Sequence, residues 1–440
     1  MEPTGQGFAI RFGLGLRLGE AAPRDPVAWA EAQLGAVDVA PVPAGFAQAP
    51  GTVEGFAAFR ADRAAQAAGE ARPGNAAALF RAEALAQAER LLLTEAPFRE
   101  RLVQFWANHF TCSRRAGMVG PLMGAYLREA IRPHVTGRFV DMLLAVARHP
   151  AMLVYLDNAA SVGPGSQAGR RGGRGLNENL AREILELHSV APAAGYGQAD
   201  VTEFARVLTG WSVGRAGQAG EPEGRFLFRA RAHEPGVKTV MGQVLPEGEA
   251  GGEQMLRWLG GHAATFRHVA LKLARHFVAD APPAAVVAGL AGVLQRTGGD
   301  LGAVARALVR LPEAWVPLAK VRAPADWVVA ALRALGAGAE AAPRVLAGMA
   351  RLGQPMWAAP GPNGWADVAA EWAAPEALMR RVDMAWAMAG AAAGRVALPA
   401  VVAAGLGELA GAATAQAVAR AGSQREALTL LLASPEFQRR

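Results

Sequence analysis

A single cysteine, Cys112, in a chain of 440 residues excludes an intrachain disulfide, and no Cys-x-x-Cys pair exists from which to build a thiol zinc site. No run of about 18 strongly apolar residues occurs, because Arg, Glu or Gly interrupts even the Ala-rich C-terminal stretches, so no membrane span is expected. Lysine is nearly absent: Lys238, Lys272 and Lys320 are the only three, and the other 42 of the 45 basic residues are arginine. Set beside 52 glycines and abundant alanine, that bias reads as codon composition rather than as a binding surface. The formal charge of +7 is a modest excess of 45 basic over 38 acidic residues without a polybasic tail, and nucleic acid is not an expected partner. The first residues, with Glu2, Pro3, Gly5 and Gly7 before Phe8, show neither the basic start nor the sustained apolar stretch of a secretory signal, which predicts a soluble, cytoplasmic protein.

What the chain does have is apolar residues, 52% against 19% charged, enough for a large core in one or two domains held by packing alone. The dominant period is helical. Asn75 is placed to cap a helix through Leu79, Leu85, Leu91 and Leu92, and Pro97 suits the first turn of a helix in which Leu102, Phe105, Trp106 and His109 recur at i, i+3, i+4 and i+7. Further helix is expected over 121–134 and 136–149, and from Asp200, with Glu203, as a capping box. Residues 161–175 read as a loop, with Arg170, Arg171 and Arg174 among glycines. Residues 225–245 alternate as one short hairpin turning at Pro235-Gly236. Helices dominate again to the end. The pattern predicts an all-α, multi-helical globular fold with a short β-hairpin excursion, divided as an N-terminal extension over 1–74, a main helical domain over 75–390 and a C-terminal helical region over 391–440.

The segment from Asn177 to His188 is the richest in chemistry. With Asn177 as cap and about 100° per residue, Glu178, Asn179, Arg182, Glu183 and Glu186 share an arc opposite Leu180, Ile184, Leu185 and Leu187. Glu178, Arg182 and Glu186 form two successive i,i+4 pairs, so one reading is a structural network of Asn177, Glu178, Asn179 and Arg182 joined by His188 and, from the hairpin, Lys238. The other reading sets Glu183 and Glu186 beside His109 as ligands of one divalent metal ion, or beside His233 and Asp157 as acid and base. His-Glu-x-x-His and paired Asp motifs are absent, so the spacing permits such a site without requiring it. His268, Lys272 and His276 share a helix face with Arg275 nearby, a stripe suited to an acidic partner but without the aromatic platform of a nucleic-acid reader. The glycines at 13, 15 and 19 do not open a βαβ unit, and the loop at 169–175 lacks the Gly-Lys-Ser/Thr ending of a P-loop.

Several segments together resemble a bacterial family, catalogued as domain of unknown function 1800. They are Phe105-Trp106-Ala107-Asn108-His109-Phe110, Tyr155-Leu156-Asp157, Asn177 to Glu183 with Glu186-Leu187-His188, Ala205 to Trp211, and His233 to Lys238. Lys272 to Phe277, Lys320 to Pro324, and Leu352-Gly353-Gln354-Pro355 with Gly364-Trp365 continue the series in order. The chain departs from the family pattern at Ser189-Val190-Ala191, where Thr-Leu-Gly is usual, and at Ala263 in His262-Ala263-Ala264-Thr265, where Pro is usual. The resemblance implies a largely helical protein, often exported, encoded beside a sulfatase-like partner, and it implies no particular reaction. A scaffold or partner-binding role fits the absence of a complete catalytic signature. A metal-assisted or acid–base hydrolase built on the Glu/His/Asp cluster is the alternative.

Overall fold

The computed structural model describes residues 2–35, 42–71, 73–172, 175–218 and 221–440; Arg174 of the glycine-rich loop lies outside them. Helices dominate, as the periodicity predicts, and among the described residues no helix is long and apolar enough to cross a membrane. The start of Asn75–Leu93 differs from expectation. Gly74 occupies the cap position with φ of 78°, and the carboxylate of Asp62, on the helix Thr52–Ala67, accepts from the N–H groups of Asn75 (2.8 Å) and Ala76 (3.1 Å). A neighbouring helix thus satisfies the free donors that Asn75 was expected to cap. Asp200 moves in the same sense. The helix Gln198–Leu208 begins earlier, so Asp200 is its third residue, and its carboxylate takes the N–H of Gly197 (2.9 Å) and of Met241 (2.7 Å).

Two expected helices change pitch. Over 120–134 a 3₁₀ turn, a short α-turn, the π-helix Leu127–Ile131 and a second 3₁₀ turn, Arg132–His134, follow one another, with Pro133 removing a donor from the ladder. The 177–188 segment is α-helical over Asn179–Glu183 and π-helical over Ile184–His188, so the face computed at about 100° per residue does not hold beyond Glu183.

Among the described residues the strands form two separate antiparallel pairs, Trp211–Val213 with Phe226–Phe228 and Lys238–Val240 with Gln243–Leu245. The hairpin turn is Met241-Gly242, not Pro235-Gly236. Both turn residues have positive φ, 49° and 77°, the handedness that matches the twist of the flanking strands.

Buried apolar side chains form two clusters. The first joins Phe98, Trp106, Phe139, Val146, Phe204, Leu273 and Phe277 from helices Pro97–His109, Phe139–Arg148, Gln198–Leu208 and Ala263–Phe277. The second joins Leu91 and Leu92 to Trp327, Val328, Val345, Leu428, Leu431 and Phe437. Full burial of each large side chain contributes about 1.5–3 kcal/mol, so both clusters are substantial. Trp357 packs against both and marks the seam between them.

Candidate functional site

The residues singled out from the sequence fall into separate places. Arg182 pairs with Glu178 at 2.9 Å, and the same carboxylate also accepts from Gln198 (2.8 Å) and Thr202 (2.6 Å). Arg182 is 40% exposed, so this is a surface network of the kind worth about 0.2–1 kcal/mol. The Asn177 side chain accepts from Asn179 N–H at 2.9 Å. Glu183 and Glu186 are half-buried and make no hydrogen bond or ion pair with described residues; burial first, then Glu186, raises the Glu183 carboxyl. Asp157 is exposed and ends the helix Pro150–Tyr155 in the left-handed region, φ 59°.

His233 is tied at both ring nitrogens. Its Nδ1 donates to the Thr209 carbonyl (2.8 Å), and its Nε2 accepts from Gly248 N–H (2.9 Å) and from Lys238 Nζ (3.1 Å). Lys238 also donates to the Glu234 carbonyl, so the pair locks the hairpin onto the preceding turn. His109 is buried among Trp106, Phe110 and Phe139, and its Nε2 donates to the carbonyl of His188 at 3.2 Å. The adjacent Leu187 carbonyl receives Nε2 of His268 at 3.1 Å. Two imidazoles therefore satisfy carbonyls left free at the end of the π-helix. Neither ring nitrogen of His188 has a partner among the described residues. Among those residues no group of three or more His, Cys, Asp or Glu side chains is arranged to hold a metal ion.

What the fold does build is a cavity of about 460 Å³ at the seam between the two apolar clusters. Most of its walls come from four regions distant in sequence. The helix Pro97–His109 brings Arg101, Phe105 and Asn108; Ala263–Phe277 brings His268, Lys272, Arg275 and His276; Pro324–Ala334 brings Asp326 and Val329; and the irregular stretch 352–368 brings Trp357, Trp365 and Asp367. Arg440 and residues from elsewhere in the chain, among them Leu14, Leu187 and Met349, complete the lining.

The 352–368 stretch is strapped down. The Asn108 amide donates to the Trp365 carbonyl (2.9 Å) and accepts its N–H (2.8 Å). Gly364 sits at φ 75°, and a Cβ there would lie 2.6 Å from both oxygens of Asn108, so only glycine allows the approach. Trp357 holds φ of 52°, a strained conformation for a bulky residue, while its carbonyl accepts the Arg114 N–H at 2.8 Å.

The charges on the wall are unevenly matched. Arg101 donates to both oxygens of Asp326 (3.1 Å each), Arg440 approaches Asp326 (3.1 Å) and Asp367 (3.5 Å), and His276 Nδ1 donates to Asp367. Burial alone would raise these two acids. The surrounding cations win and hold Asp326 at about 2 and Asp367 well below the usual carboxylate range. Lys272 has no hydrogen bond or ion pair with a described residue, and Arg275 reaches only the Asp280 carbonyl, at 3.3 Å.

The sequence carries only part of the signal for this site. The stripe of His268, Lys272 and His276 was legible as one face, yet Trp357, Trp365, Asp326 and Asp367 join it only through the fold.

The fold and the cavity define a helical protein with an aromatic-lined and cation-rich pocket. The family model described as a protein of unknown function (DUF1800) matches residues 8–439, and the chain belongs to that family. No curated protein and no solved structure matches the chain. Of the segments that carry the resemblance, those containing Phe105 and Asn108, Leu187, Lys272 and His276, Ala323, Gln354 and Trp365 all contribute to the cavity wall.

Proposed function

We propose that the chain binds a small organic anion with an apolar or aromatic body in this cavity. The supporting observation is the charge imbalance of the wall: Asp326 and Asp367 answer Arg101 and Arg440, whereas Lys272 and Arg275, one turn apart, have no carboxylate within ion-pair distance among the described residues. A ligand oxyanion supplies the missing charge, and Phe105, Trp357, Trp365, Met349 and Met356 pack its remainder. Titration calorimetry with 3-phenylpropanoate and its neutral amide tests this. The acid is expected to bind, and Arg275→Met to weaken it at least about tenfold, the worth of one charge-assisted hydrogen bond. Equal affinity for acid and amide sinks the reading.

A partner-binding role rests on a different observation. Met379, Val382 and Trp386, at i, i+3 and i+7 on the helix Pro375–Ala392, are 60%, 38% and 46% exposed. We infer that this row docks a partner protein, and the family resemblance points to the sulfatase-like protein encoded nearby. Co-expression of the two should give one peak in size-exclusion chromatography, lost in Trp386→Glu; separate peaks for the unaltered pair rule it out.

A further inference from the structure

Lysine is the rarest basic side chain here, and its three positions are not alike. Lys238 is engaged by Glu234 and His233, and Lys320 by the Asp280 carboxylate and, at 2.9 Å, the Asp367 carbonyl. Lys272 alone has no hydrogen bond or ion pair with a described residue, and it lines the cavity. Arginine dominates the chain, 42 to three, and would supply positive charge at this position equally well. What arginine cannot supply is an amine that gives up its proton near neutral pH.

We propose that Lys272 is a nucleophilic amine that condenses with the carbonyl group of an oxo acid held in the cavity, forming an imine. The inference rests on the anion-binding reading above, with Arg275 taking the carboxylate of the same ligand. The amine lone pair attacks the carbonyl carbon and the carbon–oxygen π pair moves to oxygen. One amine proton passes to that oxygen to give the carbinolamine, whose hydroxyl then leaves as water with the remaining N–H proton as the nitrogen lone pair forms C=N. No oxidant or reductant takes part. The surroundings favour the free amine: burial is the largest influence on Lys272, opposed by Asp367 and reinforced by Arg275, and it brings the ammonium down to about 8. Burial in the wall and the neighbouring cation Arg275 together give the setting in which a lysine becomes nucleophilic.

Incubating the full chain with phenylpyruvate and sodium cyanoborohydride, followed by intact mass measurement and peptide mapping, tests the proposal. One reduced adduct per chain is expected, on the peptide containing Lys272, and Lys272→Arg should lower its yield at least about tenfold because the guanidinium stays protonated. The wild-type map is decisive by itself if the variant does not fold. Adducts spread over Lys238, Lys320 and the N-terminal amine, or none on Lys272, overturn the imine. Calorimetry with 3-phenylpropanoate, which has no oxo group, separates the two ideas: binding without an adduct leaves the anion site standing and removes only the amine chemistry, and no binding removes both.

Discussion

Glu100→Gln is expected to destabilise the fold by about 3–5 kcal/mol in denaturant unfolding. Glu100 and Arg132 are 2% and 1% exposed, and their side chains meet through bonds of 2.7 and 3.0 Å. Gln87 adds a third bond to the carboxylate at 2.7 Å, and Arg90 stands 3.5 Å away. Burial by itself would raise the Glu100 carboxyl; Arg132 foremost, then Gln87 and Arg90, more than reverse it. The glutamine keeps the volume and removes the charge, so Arg132 loses this counter-charge in a place where water cannot replace it. The comparison is Glu376→Gln, which breaks a pair with Arg380 whose side chains are 78% and 55% exposed. That change should cost less than about 1 kcal/mol. Similar losses from the two substitutions would mean that burial does not set the worth of the Glu100 pair.

Acidification from pH 6.5 towards 4 should erode stability steeply, approaching about 5 kcal/mol per pH unit near the middle of that window with four histidines taking part. Burial, then Lys272, holds His188 down to about 3 and His268 down to about 4, and it holds His109 well below its usual value; burial likewise holds His276 down to about 4, against the pull of Asp367. These imidazoles are neutral in the folded chain, whereas an unfolded histidine protonates near 6.5. Between about 6.5 and 4 the unfolded chain binds more protons, so stability falls as pH falls. Asp326, held at about 2, and Glu100 extend the loss below pH 4, where unfolded carboxyls protonate first. Urea unfolding at pH 7, 6 and 5 measures the slope, and His188→Gln should make it shallower by about one quarter. A profile flat from pH 7 to 5 would contradict the neutral buried histidines.

How far the sequence could be read depended on whether the deciding interaction was local. The helix Pro97–His109 was legible because Pro97 suits a first turn and the apolar stripe runs one way along it. Asn75 failed as a cap because Asp62, from a different helix, outcompetes it. The π-helix over Ile184–His188 was invisible to a fixed angular period, which carries α-helical spacing past Glu183. At the cavity, His268, Lys272 and His276 could be grouped because they stand on one helix. Asp326, Asp367 and Trp365 could not, since no spacing relates them to it. His109 and His188 were both visible as candidates, yet their relation, a ring donating to a carbonyl 79 positions away, follows only from packing.

The strap that joins Asn108 to Trp365 spans 257 positions of chain. In kinetic terms the cavity is expected to form late in folding, since closing a loop of that length costs entropy before its contacts repay it. A transition state without the strap has no pocket to offer. A bound anion would then leave the rate of folding unchanged and lower the rate of unfolding, lengthening the lifetime of the native chain.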